Sequence, residues 1–335
     1  MTFFKRYLLP RIIQYLVVIF IGTTVVFVVP RLMPTDPIQQ TIERVTMQGT
    51  YIDPDAVEEL KETLKELYGL KGTLFEQYAI FWKRLFRGDF GPSFAQFPTP
   101  VMELISISLP WTTILLLLTT LLSWVIGNIL GGLAGYFSHY RWARILEGIA
   151  MFIRPIPYYI VALGLLILFA FIFPIFPVVG GASIGSEFKL SWNLIIDIIE
   201  HAFLPALSLI IVGTSTWFIT MRLIVSNIVT EDYVSYAQSG GVSNKEIVFH
   251  YVIRNGLLPQ ITGLALSLGQ IFSGALITEQ VFSYPGIGTL LYRSISTGDY
   301  NLMMGITILS IIGIATGVLV IDIVYPLFDP RIRYE

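Results

Sequence analysis

Cysteine is absent from this 335-residue chain. That excludes disulfides, thiol nucleophiles and thiolate metal sites, and leaves the redox compartment unread. Charge is scarce as well. Asp, Glu, Lys and Arg make up 13% of the residues, against about 25% in soluble domains. The formal net charge is only −2, so no basic field points to nucleic acid as a partner. The dipeptide Gly-Lys never occurs, which removes the G-x-x-x-x-G-K-[ST] loop and its cradle for nucleotide phosphates. H-E-x-x-H is missing, and His139, His201 and His250 are too scattered to suggest a metal site. G-x-S-x-G is missing too, so a nucleophile elbow has no support. No catalytic residue, metal site or resident cofactor is expected. For His201 and His250, near the ends of apolar blocks, a local hydrogen-bonding role is expected.

Apolar residues are abundant: 54% of the chain, with a mean hydropathy of +0.72. They fall in blocks of about 20, the length that crosses a ~30 Å hydrocarbon core at 1.5 Å per residue. Six blocks stand out, at roughly 11–30, 108–136, 148–173, 201–225, 259–281 and 302–327. The first follows Lys5 and Arg6 and resembles a signal peptide. Its core is too long for one and no small-x-small cleavage site follows, so an uncleaved span is expected. These features predict an all-α polytopic membrane protein with six transmembrane helices.

Between the first two blocks lies one long polar segment, about 31–105. Within it "DPDAVEELKETLKELYGL" predicts a short amphipathic helix. Asp53 would cap it, Pro54 sits in its first turn, Val57, Leu60, Leu64 and Leu67 make one apolar stripe, and Gly69 stops it. Lys and Arg near the block ends set the orientation. Lys5, Arg6, Arg11, Arg141, Arg144, Arg222, Lys245, Arg254, Arg331 and Arg333 would share the cytoplasmic side, with both termini. The short alternate loops hold only Lys189 and Arg293. The 31–105 segment would lie outside, since long loops translocate largely regardless of charge.

Gly127, Gly131 and Gly135 are four apart, a stripe on which another helix can approach closely; Gly263/Ser267 and Gly269/Ser273 repeat the spacing. Polar Asn128, Thr214, Gln270 and Ser273 fall within apolar blocks and are candidates for lining a translocation path. Ordinary helix packing is the competing reading. Acidic residues in the blocks are few, with Glu279 and Asp322 toward ends and Glu147 before the third. An ion-coupled carrier would more often bury one near the midplane.

The polar interruption "EDYVSYAQSGGVSNKEIVFHYVIRNGLLP" (231–259) reads as a helix, a glycine turn and a second helix. Ser243 and Glu246 have the spacing of a capping box, in which the hydroxyl and carboxylate each satisfy an orphan amide. The second helix would start at 243 or 244 and run to about 258, where Pro259 opens the fifth block. The first arm offers Tyr233, Tyr236 and Ala237, with Gly241 four beyond the alanine, a notch on which a partner could dock. A solvated linker would need neither the capping box nor the aromatics.

The pattern Glu231-Asp232-Tyr233-Val234, Ala237-x-x-x-Gly241, His250-x-x-Arg254-Asn255-x-x-Leu258-Pro259 resembles the cytoplasmic coupling loop of ABC importer permeases, closest to the dipeptide/oligopeptide branch. "RLMPTDP" (31–37), with Thr35 where Gly is usual, "RGDFGPSF" (87–94), "LPALSL" (204–209), "VFSYPGIG" (281–288) and "FDPRIR" (328–333) resemble family signatures in the expected order. The general loop pattern begins Glu-Ala-Ala, whereas Ser235 and Tyr236 fill its first two places here. Gln238 and Gly240 stand where relatives often carry basic residues.

The resemblance implies a type I permease fold. Residues 1–30 would form the N-terminal tail and first helix, and 31–100 an extracytoplasmic segment. An ABC transmembrane domain would span 101–327, with its coupling loop at 228–258, and 328–335 would be a cytoplasmic tail. It also implies a B-type permease in a prokaryotic cell membrane, paired with a homologous C-type permease. Two cytoplasmic ATPase subunits would carry the ATP and Mg, and an external binding protein would deliver substrate. The loop residues it marks are Glu231, Asp232, Tyr233, Tyr236, Ala237, Gly241, Ser243, Glu246, His250, Arg254, Asn255 and Pro259. Peptides are the first expectation for substrate; oligosaccharides, nickel and opines are carried by other relatives. An ion-coupled carrier, an intramembrane enzyme and a membrane scaffold are the rival classes.

Overall fold

The computed structural model describes residues 8–32, 39, 42, 54–67, 69–183, 185 and 191–328. The expected Asp53 cap, "RLMPTDP" beyond Leu32 and "FDPRIR" beyond Phe328 lie outside those residues. Among those described, ordered structure is helical, with one isolated β-bridge between Pro92 and Pro100. Four helices are long and apolar enough to cross a membrane: α1 (Leu9–Leu32), α4 (Val101–Tyr136), α7 (Trp192–Ile228) and α12 (Tyr300–Phe328). A fifth candidate is the pair α5 (Arg141–Ile153) and α6 (Tyr158–Ile172), bent by 97° between them.

That bend divides the 148–173 block. Pro155 and Pro157 follow α5, and each lacks the amide a continuing helix needs while disfavouring helical backbone in the residue before it. The 259–281 block is also divided. α9 covers 244–273 as Asn244–Glu246, a π-helical stretch Ile247–Ile253, Arg254–Gly269 and a 3-10 turn Gln270–Ser273. Gly274 (φ 74°) then breaks the chain, and α10 (Leu276–Val281) follows as a separate short helix. Pro259 does not separate two helices as expected but lies inside Arg254–Gly269.

The central seam is α4 against α7, and the glycine stripe makes it. A Cβ added to Gly127 would lie 2.5 Å from Trp217 Cβ, one on Gly131 2.4 Å from the Phe218 carbonyl, and one on Gly135 2.7 Å from Val225. The residue pairs ascend together along both helices, so α4 and α7 run parallel. α9 returns antiparallel on α4, with Gly132 against Ile253 and Trp124 Nε1 donating to the Gln260 carbonyl at 3.1 Å. Its far end meets α12, where a Cβ on Gly317 would come within 2.8 Å of Gly269 Cα. α1 packs on the other side of α12 through Gly22 and Ile311, Tyr15 and Thr316 (3.2 Å), and Arg11 and Asp322 (3.4 Å).

Two further described helices lie between α1 and α4. α2 (Pro54–Leu67) is the predicted amphipathic helix. Leu64 is buried against Phe94 and Tyr300, and Val57 is half-buried; the Leu60 and Leu67 side chains lie outside the described residues. It ends at Gly69 (φ 65°), whose amide donates to the Glu66 carbonyl while that of Leu70 donates to Lys65, the left-handed glycine stop. α3 (Leu74–Leu85) was not anticipated, although its start carries a complete capping box at Thr73 and Glu76. The T-x-x-E signal was there to be read. α8 (Asp232–Ser239) and α11 (Ile287–Thr297) complete the described helices.

Candidate functional site

α7 leads into a compact elbow made of α8, a two-glycine turn and the start of α9. Val234 pins α8 down: it is fully buried among Met221, Val225, Ile247, Val248 and Val252. Asp232 in the first turn of α8 suits the positive end of the helix dipole. The spacing of Ala237 and Gly241 has a backbone reason. Gly241 has φ 77°; its amide donates to the Gln238 carbonyl (3.1 Å), and that of Val242 donates to Ala237 (3.1 Å). This places the glycine just past the end of α8, the position that favours a residue without a Cβ. Ser243 then caps α9 by accepting from the Glu246 amide at 3.3 Å, the serine half of the expected box.

The elbow is braced from behind. Asn255 Nδ2 donates to the Tyr233 hydroxyl (3.2 Å) and to the Tyr251 carbonyl (2.7 Å), tying α8 to α9. The Tyr136 hydroxyl donates to Asn244 Oδ1 at 3.0 Å, tying α9 to the end of α4. Arg222, near the end of α7, pairs with Glu147 of α5 at 2.6 Å. Its outer surface is left open. Tyr236 is 77% exposed, and Glu231, Asp232, Glu246, His250, Arg254 and Pro259 are exposed as well. Among the described residues, no heavy atom lies within 4 Å of where a Cβ on Gly241 would point. The structure thus brings Tyr233 to Asn255 and Ser243 to Glu246, joins Ala237 and Gly241 through one glycine turn, and leaves the others facing outward.

A second polar constellation is entirely internal. Glu279 of α10 is fully buried. One carboxylate oxygen accepts from the Thr112 hydroxyl at 2.8 Å, with the Ala275 amide at 3.5 Å; the other accepts from the amides of Gly288 (2.7 Å) and Thr289 (3.3 Å). Thr112 Oγ1 in turn accepts from the Ile287 amide at 2.7 Å. The carboxylate therefore occupies the N-terminus of α11, where orphan amides and the helix dipole favour an anion. The "VFSYPGIG" signature supplies the close fit. A Cβ on Gly286 would fall 2.3 Å from the Glu279 carboxylate, and one on Gly288 2.5 Å from Leu276 Cα. Asp299 does the same for α12. Fully buried, it caps the Leu302 amide (3.1 Å) and accepts from the Ala95 amide (3.1 Å) and the Ser93 hydroxyl. This ties "RGDFGPSF" to the start of α12. Both burials escaped the sequence, which put Glu279 merely near a block end.

The four translocation candidates do not share one setting. Asn128 is 2% exposed and donates to the Trp124 carbonyl at 2.7 Å, while its Oδ1 has no partner among the described residues. Thr214 Oγ1, on the facing helix, is likewise buried without a partner. Gln270 is exposed, and the Ser273 side chain lies outside the described residues. Gln260, not anticipated, is 1% exposed, its Nε2 without a partner among the described residues, and its carbonyl accepts from the Trp124 that Asn128 also contacts. His201 has the expected local role, with Nδ1 2.8 Å from the Asp197 carbonyl.

Residues 127–334 match the family described as "Binding-protein-dependent transport system inner membrane component". The elbow falls inside that match, as do Glu279 and the start of α11; Thr112 lies before it. The chain is similar over nearly its whole length to curated proteins. It is 31% identical to the oligopeptide transport system permease protein AppB of Bacillus subtilis, over 94% of this chain and 96% of that one. It is 29% identical to the dipeptide transport system permease protein DppB of Lactococcus lactis, over 98% and 99%. A probable D,D-dipeptide transport system permease protein of Escherichia coli, DdpB, is 30% identical over 95% and 94%.

Proposed function

The chain belongs to the family of binding-protein-dependent transport system inner membrane components, and on that premise we propose how it works as the permease subunit of a peptide ABC importer. Relatives named for dipeptide and oligopeptide transport support peptides as cargo. In our reading α1, α4, the bent α5–α6 pair, α7, α9 and α12 make six crossings, with both termini and the elbow in the cytoplasm. Residues 101–327 form the transmembrane domain that lines half of the path, and a homologous C-type permease supplies the other half. An external binding protein delivers the peptide. Two ATPase subunits hold the ATP and Mg.

The observation that carries this reading is the elbow: rigid from behind, open in front, in a chain with no P-loop. Its energy must come from outside. ATPase closure would press on Tyr236, Ala237 and the bare backbone at Gly241. The push would pass through Val234 and the Tyr233–Asn255 bond to α9, and through Arg222–Glu147 to α5. His250 and Arg254, exposed on α9, complete the contact, with Glu231 and Asp232 at its edge.

Gly241→Asp tests it. A non-glycine residue at φ 77° costs about 1–2 kcal/mol, and there is room for the side chain, so the protein should still fold and insert. At the docking surface, bulk and charge should cost about 2 kcal/mol or more. Pull-down of the ATPase subunits and peptide-stimulated hydrolysis should both fall in the aspartate variant. Gly241→Asn, which tolerates positive φ, should show the smaller loss. Full ATPase binding and coupled transport in Gly241→Asp would mean that the elbow is not the coupling site.

A further inference from the structure

α3 is fastened along the second half of α1. Arg31 Nε donates to Gln77 Oε1 (3.1 Å), and the Thr24 and Tyr78 hydroxyls are 2.7 Å apart. Phe27 packs on Tyr78 and Phe81 at 5.1 Å each, and Phe20 stacks on Trp82 at 5.7 Å. α1 residue numbers fall as those of α3 rise, so α3 runs back beside a helix apolar enough to span. Phe20 lies twelve residues (32 − 20) before the end of α1, about 18 Å at 1.5 Å per residue. The stack therefore reaches well into α1's apolar length.

The contacts with α1 use only part of the aromatic surface of α3. At about 100° per residue, Phe75 and Phe86 fall within about 20° of one line, with Trp82 beside them. Phe75 is 81% exposed and Phe86 83%. Leu74 adjoins them at 66%, and Phe20 of α1, stacked on Trp82, is itself 55% exposed. Glu76, Lys83 and Arg87 cluster about 100° round from that line, and all three are exposed. A helix with an aromatic side and a charged flank, running antiparallel beside a spanning helix, suits a segment that inserts into the bilayer along that helix.

We propose that α3 lies in the bilayer rather than in water, with Phe75, Trp82 and Phe86 set against lipid beside α1. Lipid is the occupant because the exposed apolar surface runs on into α1, whose apolar window is only 11% buried. The segment after α1 is then not a free exterior loop: α3 anchors it to one leaflet and steadies the outer half of α1.

The chain contains no cysteine, so single nitroxide labels can be placed cleanly. Phe75→Cys, Phe86→Cys and Lys83→Cys in the full chain would be reconstituted in phosphatidylethanolamine–phosphatidylglycerol vesicles. Relaxation by oxygen and by a water-soluble nickel chelate would then be compared. The oxygen-to-nickel ratio should exceed one at 75 and 86 and fall below one at 83. In the same vesicles made with tail-brominated lipid, Trp82→Phe should remove a quenched component of the tryptophan emission. That measurement keeps the proposal falsifiable if a labelled variant fails to assemble. Nickel-dominated relaxation at 75 and 86 would put this face in water. Shielding from both agents would mean that a protein partner covers it. Either result, or an unquenched Trp82, overturns the proposal.

Discussion

The elbow at 232–255 and the Glu279 constellation are both polar islands in a chain dominated by apolar residues, yet they use polarity in opposite ways. Around Glu279 both carboxylate oxygens, the Thr112 hydroxyl and three amides at the start of α11 are joined to each other inside the chain. In the elbow the internal bonds go to the backbone turn and to the brace behind it, while Tyr236, His250 and Arg254 face outward. A polar group taken out of water must be satisfied or it costs free energy. Glu279 meets that demand within the fold, and so belongs to the architecture. The elbow surface stays exposed in the isolated chain, which leaves it available to a partner.

The comparison breaks most visibly if Glu279 is removed. Glu279→Ala strands the Gly288 and Thr289 amides and the Thr112 hydroxyl in a buried site, each at about 1–3 kcal/mol. We expect a loss of about 3 kcal/mol or more, with reduced yield and a lower melting temperature of the detergent-purified chain. Melting like wild type would show that these bonds are replaceable. Gly131→Leu should follow. Its side chain would meet the Phe218 carbonyl, where even a Cβ has 2.4 Å, and overpacking costs about 1–3 kcal/mol or more. Normal assembly and transport by this variant would contradict the α4–α7 seam. Tyr236→Ala should have the smallest effect on stability, within about 0.5 kcal/mol for an exposed side chain. Its effect should be on ATPase recruitment, with affinity falling about tenfold, or 1.4 kcal/mol. Unchanged recruitment would remove Tyr236 from the docking surface.

Local features were legible in advance. Gly240 and Gly241 marked the elbow's turn, Ser243 its second helix, and Gly127, Gly131 and Gly135 a seam that α7 does fill. Two misses were also local. Pro155 and Pro157 announced the bend that divides the third block, and Thr73-x-x-Glu76 announced α3. The division at Gly274 was harder, because apolar residues continue on both sides of it and nothing nearby shows that Glu279 will claim the following turn. Gln270 and Asn128 looked alike in sequence, but one is exposed and the other is 2% exposed. Facing direction depends on neighbours that the pattern of one helix does not name.

What the sequence determined by itself follows from short-range physics. Apolar runs long enough to cross a bilayer, glycine at positive φ, and a serine three residues before a glutamate act within a turn or two of helix, and they specified membrane helices and the elbow. The tertiary structure decided which polar groups are consumed internally and which are left for partners. Thr112 and Glu279 are 167 positions apart, Ser93 and Asp299 are 206 apart, and Thr24 and Tyr78 are 54 apart. The energy of each contact appears only once the intervening helices have packed, so no local pattern could announce it.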